Sequence, residues 1–493
     1  MVRFFKRKKS ENEPCLDLTE LIKQLEKSND FQSTMFFHDE SEQYFSLSYF
    51  NTLVDDLIVR DNILPYLLQC SFSELDDFIT LLPNSNCEIT NDLTYIENAI
   101  MTGHILLQLE GEEKKVAIIE AKNVIGREIS PPEIEFNVGG PKVSFVESLD
   151  KNLNLIRSEL PVKELITEEL TVGNLSKRKV VIMYLDGITD LEDVKEMRRR
   201  IEKIDYDFIL SNESIEEFIA DNNKSPFPQI INTERPSRVS ANIVNGKVAV
   251  FVDGSPSALI APTTLFGFLG SLEDYLMNWL LGTFARILRL FGITFSIFAT
   301  PAYVAILTFH PEIIPKDLIG PLVSSRENVP FPPLIEALFL EFTIELLREA
   351  GARLPTKVGQ TIGIVGGIVL GTATVDAGLT SNILLIFVSL GALAAFTTPL
   401  YKFSNTIRVI RFPFIIAAGI WGLIGINLMM CFFIIHLLRL TSLNRPYLEP
   451  LFPPRPYDLS DTIIRAPFKF LKKRPYFTQT KQPSRTTPPT QKE

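Results

Sequence analysis

The pattern of apolar and charged positions divides the chain into two halves near residue 260. Before that point charged residues alternate with short apolar runs, whereas after it several long stretches carry almost no charge. Short apolar runs are typical of buried strands and of single helix faces, and uncharged runs of about 20 residues are typical of membrane spans. The fold class predicted by this pattern is an α/β soluble N-terminal half followed by an all-α multi-span membrane domain.

The soluble half divides further into two small mixed α/β subdomains, over residues 16–135 and 136–260. In the first, strand-like segments include 45–49, 104–109 and 116–119. The last two are separated by a short polar turn that contains Gly111, and this pattern predicts a β-hairpin.

The second subdomain begins after a loop rich in proline and glycine. The apolar runs 179–185 and 248–252 are typical of buried strands, and 191–204 has helical spacing with charge on its outer face. Alternation of strand and helix predicts a mixed sheet flanked by helices.

The membrane domain is expected over residues 261–440. Four apolar runs, each close to 20 residues, are long enough to cross a hydrocarbon core of about 30 Å. Two further stretches are apolar but carry acids, and we interpret them as amphipathic or re-entrant helices. The four spans lie near 287–309, 359–379, 383–400 and 412–438, and the two amphipathic stretches near 262–286 and 331–352.

The two termini are basic. Residues 1–15 have no apolar core behind their charges, which predicts a disordered N-terminus rather than a signal peptide, and a cytoplasmic soluble half. Residues 441–493 form a proline-rich tail, typical of a cytoplasmic segment next to a membrane. If 331–352 does not cross, four spans return this tail to the cytoplasm, and the size of its basic cluster favours that arrangement: Arg439, Arg445, Arg455, Arg465, Lys469, Lys472, Lys473 and Arg474.

The composition of the chain mainly excludes certain partners, sites and activities. The formal net charge of the 493 residues is -10, and no basic face is evident outside the termini, so nucleic acid is not an expected partner. Four cysteines without paired spacing and four dispersed histidines predict neither a disulfide framework nor a metal site. Phosphate-binding glycine loops and zinc-protease motifs are missing from the sequence, so we expect no enzymatic activity and no cofactor.

Glycines recur at every fourth position in the second predicted span, at Gly359, Gly363, Gly367 and Gly371. This spacing puts all four on one helix face, where small residues let helix backbones approach closely in lipid. Packing within the chain and contact between subunits or beside a pore are both compatible with this stripe.

In the stretch 331–352, Glu341, Glu345 and Arg348 share one helix face. Charge inside a membrane is unfavourable unless it faces water or a partner. One interpretation is an interfacial helix with its polar face in water; the other is a helix that lines an aqueous path. Because Arg348 can neutralise Glu345 three residues earlier, Glu341 is the better candidate for a water-facing acid.

Arginines also cluster in the soluble half. The segment 233–238 predicts a helix start, because Thr233 can cap a helix and Pro236 suits a first turn. Arg235 and Arg238 could bind an anion or a partner, although surface ion pairs are the commoner arrangement.

Several segments together resemble the A subunits of GerA-type spore germinant receptors, in order and over most of the chain. In the soluble half, the motif residues on which the resemblance depends are Gly140, Pro141, Lys142, Glu147, Asn152, Arg157, Thr233, Glu234, Arg235, Pro236, Asp253, Gly254 and Pro256. In the membrane half, the matching segments are 273–275, 301–305, 309–310, 326–327, 329–332, 347–351, 353–355, 359–360 and 364–367. The sequence departs from the family pattern at Thr372 and at Asn444-Arg445.

The resemblance implies a receptor subunit in the inner membrane of bacterial spores that works with a transporter-like B subunit and a lipoprotein C subunit. It also implies a homo-oligomer, in contact with membrane lipids, that conducts monovalent cations when the B subunit binds a nutrient. A scaffold that docks the other subunits without conducting ions is the alternative. A solute transporter is disfavoured, because the sequence lacks two matching hydrophobic halves with broken helices.

Overall fold

The structure, a computed structural model, describes residues 18–38, 43–69, 75, 87–109, 115–122, 135, 139–353, 367, 369 and 371–485. Its described N-terminal half contains two separate antiparallel sheets with helices, and its C-terminal half is helical. The predicted fold class is therefore confirmed.

The first sheet has the strand order β1-β2-β4-β5-β3, with every neighbouring pair antiparallel. Its strands are β1 (Phe31–His38), β2 (Gln43–Phe50), β3 (Cys87–Thr90), β4 (His104–Leu109) and β5 (Val116–Glu120). Strands β4 and β5 form the predicted hairpin. Alternate residues of β4 enter two different cores, because successive side chains of a strand point to opposite faces. Helices cover both faces: α1 (Leu18–Leu25), the π-helix Ile58–Ile63 that leads into α2 (Leu64–Gln69), and α3 (Leu93–Ile100).

The second sheet has the order β6-β7-β9-β10-β8. Its elements are β6 (Leu165–Val172), β7 (Arg178–Leu185), β8 (Ile231–Thr233), β9 (Val248–Val252) and β10 (Ala258–Ala261), with helices α4 (Leu149–Glu159), α5 (Leu191–Glu202), α6 (Asn212–Ile219) and α7 (Pro236–Val244). Both predicted strands and the predicted helix are present. The expectation of a mixed sheet is wrong, since every pair is antiparallel. Tight turns join β6 to β7 and β9 to β10, and such turns impose antiparallel pairing.

The helical half contains α8 (Glu273–Leu276), α9 (Trp279–Phe309), α10 (Lys316–Arg326), α11 (Pro333–Ala352), α12 (Asn382–Ala395) and α13 (Tyr401–Arg439). By length and composition, α9 and α13 are long and apolar enough to cross a membrane. Helix α12 matches the predicted span 383–400 but ends five residues earlier. Ten of the 21 residues of the predicted span 359–379 lie outside the described residues.

The stretch 262–286 does not form the single amphipathic helix predicted from its sequence. It contains a 3-10 turn at Leu265–Phe268, the short helix α8 and the first two turns of α9. Helix α9 begins at Trp279 because the side chain of Asn278 accepts a hydrogen bond from the backbone N–H of Leu280. Asp274, one of the two acids that argued against a membrane crossing here, lies in α8 and is buried against α9.

Helix α13 folds back on itself at Gly422. A straight helix of 39 residues would be about 58 Å long, and residues 414 and 433 would lie about 28 Å apart. Instead the rings of Phe414 and Phe433 stack with centroids 5.5 Å apart, and Phe227 contacts both Phe403 and Phe433. Gly422 has φ 59° and ψ -140°, which is not helical. The predicted span 412–438 therefore contains a reversal, and α13 is a hairpin with limbs 401–421 and 423–439.

Each end of this hairpin reaches the second subdomain. Lys402 binds Glu216 at 2.6 Å, and His436 Nε2 lies 2.8 Å from Ser225 Oγ. Just beyond the helix, Arg445 binds Asp193 at 3.0 Å. In a membrane, these contacts put the tail on the same side as the soluble half, which is the side predicted for it. That this side is the cytoplasm stays a prediction.

Candidate functional site

The most unusual chemistry of the helical half is a set of charged side chains buried between its helices. At its centre, Arg411 Nη1 of α13 lies 2.6 Å from Glu341 Oε2 of α11, and both side chains are 2% exposed. Thr300 of α9 donates to the other carboxylate oxygen at 2.9 Å. Arg411 Nη2 also donates to Ser296 Oγ at 2.6 Å and to the Gly391 carbonyl at 3.2 Å. This central pair joins helices α9, α11, α12 and α13.

A second buried acid lies about one turn earlier on α11. Glu336 is fully buried and binds Arg326 at 2.7 Å. Its other oxygen accepts a hydrogen bond from the backbone N–H of Ser381 at 2.6 Å, just before α12 begins. Sequence reasoning missed Glu336, although it lies in the same apolar stretch as Glu341, five residues away. The short distance along the sequence from Glu341 was the signal that could have pointed to Glu336 as a second buried acid.

The third cluster lies one turn later and is more open. Glu345 is 27% exposed and lies 3.4 Å from Arg348 and 3.3 Å from Arg408. The predicted pairing of Glu345 with Arg348 is therefore present, with Arg408 as a second cation. Of the four acids of α11, Glu336 and Glu341 are buried, Glu345 is partly exposed, and Glu349 is 60% exposed and paired with Arg353.

The expectation that Glu341 faces water is not met within this chain, because Arg411 neutralises it in the interior. Their pairing could not be predicted, because Arg408 and Arg411 precede the apolar run 412–438 and were interpreted as loop residues. They lie inside the bundle because α13 already begins at Tyr401. A pore role for Glu341, Glu345 and Arg348 stays a prediction.

The glycine stripe is only partly described. Gly359 and Gly363 lie outside the described residues. A Cβ added at Gly371 would lie 3.6 Å from Leu385 of α12, an ordinary contact, whereas one at Gly367 would meet no described atom within 4 Å. Gly367 therefore presents an open face in the described part of the chain, and its role in helix contacts stays a prediction.

Where the soluble half enters the helical half, a buried ion-pair cluster joins the short helix α8 to the first three turns of α9. Asp274 binds Arg289 at 2.6 Å and Arg286 at 3.1 Å. Burial alone would raise the pKa of Asp274, but hydrogen bonds and the arginine charges outweigh it and hold the pKa below its usual value. The carboxylate therefore stays ionised at neutral pH and keeps both arginines paired.

Arg157, a motif residue, joins the two subdomains. Its guanidinium donates to both oxygens of Asp30 at 2.6 Å, and Asp30 also accepts from Ser28 and Thr167 at 2.6 Å. Burial would raise the pKa of Asp30, but the Arg157 charge and these hydrogen bonds bring it below the usual value. The side chain is 1% exposed, so this pair is a structural joint rather than an accessible site.

The arginine segment is also buried. Arg238 binds Glu135 at 2.7 Å, and Arg235 donates to the Glu135 carbonyl at 3.0 Å. Thr233 does not cap the helix: it ends strand β8, its hydroxyl donates to Glu135, and Arg235 occupies the cap position before Pro236. Surface ion pairs were therefore the wrong interpretation of this segment.

Most other motif residues shape turns around the second sheet. The Asn152 side chain makes two hydrogen bonds with the Val146 backbone. Its Oδ1 accepts from the Val146 N–H at 2.9 Å, and its Nδ2 donates to the Val146 carbonyl at 2.6 Å. Gly254 has φ 81° and donates from its backbone to the Glu147 carbonyl at 2.9 Å. Gly140 also has positive φ and packs beside Leu276, whereas Pro141 and Lys142 are exposed. The Glu234 carbonyl accepts a hydrogen bond from the Phe145 N–H, and the Asp253 N–H donates to the Lys179 carbonyl. Pro256 lines a cavity beside Tyr401.

Within the described ranges, no group of three His, Cys, Asp or Glu side chains could hold a metal ion. The polar residues described above are engaged in ion pairs and turns that join parts of the chain. The arrangement holds parts of the chain together and lets charge be buried among apolar helices.

These features define a class: an α/β soluble half joined through buried ion pairs to a bundle of long apolar helices. The family model described as "Bacillus/Clostridium GerA spore germination protein" matches residues 19–477, and this chain belongs to that family. The resemblance read from the sequence is thus confirmed.

Similar proteins span nearly the whole chain. Spore germination protein GerQA of Bacillus cereus is 49% identical over 96% of this chain and 94% of its own length. Spore germination protein GerIA of Bacillus cereus is 46% identical over 94% of this chain and 69% of its own length. The crystal structure of the N-terminal domain of the A subunit of the Bacillus megaterium spore germinant receptor GerK3 matches at 27% identity and TM-score 0.38, covering 50% of this chain and 92% of that one.

Proposed function

We propose that this chain is the A subunit of a nutrient germinant receptor and acts in germination from the inner membrane of bacterial spores. The observation that carries the proposal is family membership over residues 19–477, together with near full-length similarity to named spore germination proteins. Helix α9, which is long and apolar enough to span a membrane, and the apolar hairpin α13 support a membrane location. The soluble half and the tail lie together on the cytoplasmic side in this proposal.

The subunit works with a transporter-like B subunit and a lipoprotein C subunit, and several copies assemble around an axis to form a cation channel. Two observations support the channel. Glu345 keeps partial exposure on a helix that is otherwise largely apolar. A Cβ at Gly367 would meet no described atom of this chain within 4 Å, so a neighbouring copy could approach this position closely. In a ring of subunits, acids repeated around an axis concentrate cations.

The second candidate function is a scaffold that docks the other subunits without conducting ions. The observation that favours it is the buried Glu341–Arg411 pair, which neutralises an acid that the channel would otherwise offer to cations.

Ion flux from liposomes separates the two functions. The full chain is reconstituted alone and together with its B and C subunits, and potassium efflux is followed after nutrient addition. We expect nutrient-dependent efflux only in the complete set, and its loss when B and C are present without this chain. Equal efflux from liposomes that contain only B and C would refute the channel and favour the scaffold.

A further inference from the structure

A large cavity lies where three parts of the chain meet, and its volume is about 580 Å³. One wall is helix α7 of the second subdomain, the second is the segment that leads into α9, and the third is the C-terminal tail, including Arg485. A molecule in this cavity would touch all three parts at once.

Lys247 provides the reason to expect a ligand. The residue is 6% exposed, and its ammonium group lines the cavity, 5.2 Å from the ring of Phe477. Among the described residues, no hydrogen-bond acceptor or carboxylate is paired with this ammonium. A buried ammonium without an acceptor is unfavourable because it loses its hydration, so such groups are normally paired.

The surrounding charges strengthen the case for an anion. Arg485 donates to Asn245 at 2.8 Å, but its Nε is buried without a partner in the described structure. Burial, and to a smaller extent the positive charge of Arg238, lowers the pKa of Lys247 to about 7. Burial and the charge of Arg485 likewise lower the pKa of Arg474. A bound negative charge would reduce the electrostatic repulsion between these basic groups.

The acids on the cavity wall are mostly occupied. Asp461 accepts from Tyr275 at 2.8 Å, and Asp458 accepts from the backbone N–H of Tyr476 at 3.0 Å. Glu449 Oε1 lies 3.7 Å from Arg455 Nε and has no hydrogen-bond partner in the described structure, so Glu449 is the acid on this wall that is held by charge alone. The remaining charged groups on the wall are Glu159, Arg238, Arg286 and Lys473.

We propose that this cavity binds a phosphate-type anion through Lys247 and Arg485, and that the bound anion fastens the tail to the second subdomain and to the start of α9. Because the cavity lies beside the first turns of an apolar helix, the phosphate group has two possible sources. It belongs either to a soluble phosphorylated molecule or to the headgroup of an anionic lipid.

Thermal unfolding of the full chain in a zwitterionic detergent tests the proposal, with inorganic sulfate as a phosphate mimic whose charge is constant between pH 6 and pH 8. We expect a saturable rise in the unfolding midpoint, relative to chloride at equal ionic strength. Lys247→Met should remove the rise. Lys195→Met, which removes an exposed lysine on α5, is the matched control and should keep it.

The pH dependence follows from protonation, since only the ammonium form attracts the anion. With a pKa of about 7, the protonated fraction falls from about nine-tenths at pH 6 to about one-tenth at pH 8, so the half-saturating sulfate concentration should rise about tenfold. This measurement on the unmodified chain tests whether Lys247 binds the anion even if Lys247→Met fails to fold.

Lipid discs distinguish the two sources. If the ligand is a lipid headgroup, phosphatidylglycerol discs should stabilise the unmodified chain more than phosphatidylcholine discs, and Lys247→Met should lose that difference. If it is soluble, sulfate should act equally in both discs. The proposal is overturned if neither sulfate nor phosphatidylglycerol stabilises the chain, if Lys247→Met responds like the unmodified chain, or if half-saturation is independent of pH.

Discussion

Arg411→Met is expected to destabilise the helical half by about 3–5 kcal/mol, the usual cost of leaving one charge of a buried pair without its partner. Glu341 would remain 2% exposed between apolar helices, with Thr300 as its remaining hydrogen-bond partner. The level of protein in membranes and its unfolding midpoint in detergent measure the effect. We expect a strong loss of both.

Two further variants separate charge from packing. Glu341→Leu combined with Arg411→Met replaces the whole pair by apolar side chains, which is often neutral for stability, and should restore much of the protein level. Arg353→Met breaks an exposed pair with Glu349 and should cost less than about 1 kcal/mol. If the double variant is as unstable as Arg411→Met, the cost comes from shape and not from the unpaired carboxylate.

Gly422→Val is expected to prevent α13 from folding back. A residue with a side chain at φ 59° and ψ -140° bears strain of about 1–3 kcal/mol, and a Cβ there would lie only 3.0 Å from Phe309. Cysteines introduced by Phe414→Cys and Phe433→Cys, treated with a short bis-thiol cross-linker, report the hairpin, because the two rings stack in the folded chain. We expect the cross-link to form when residue 422 is Gly and to be lost when it is Val.

The control for this experiment is Gly320→Ala, at a helical position where a Cβ meets no described atom within 4 Å. It should leave the cross-link unchanged. Cross-linking of positions 414 and 433 at full yield in the Gly422→Val background would show that the reversal does not depend on this glycine.

The sequence predicted elements well where a local pattern determines them. The hairpin of β4 and β5 follows from two alternating apolar runs around a polar turn, and helix α5 follows from its spacing of apolar residues. The reversal at Gly422 was not predicted, because the run 412–438 has the length of one span. Only contacts between distant residues reveal that it is folded.

The candidate site was predicted in part for the same reason. Glu345 and Arg348 lie three residues apart on one helix, so their pairing could be read locally. The partner of Glu341 lies 70 residues away, and the partner of Arg157 is 127 residues earlier in the chain. Such pairs are set by tertiary packing, on which the spacing of residues along the chain carries no information.

Potassium release from spores tests the central claim, that this chain is a cation-conducting subunit of a germinant receptor. The spores lack other receptors of this family and carry the chain, with its B and C subunits, as Glu345→Gln or Glu345→Lys. At equal protein levels after nutrient addition, we predict slowed release for Glu345→Gln and blocked release for Glu345→Lys, since a cation there repels the permeating ion. Normal potassium release from spores carrying Glu345→Lys would contradict the account.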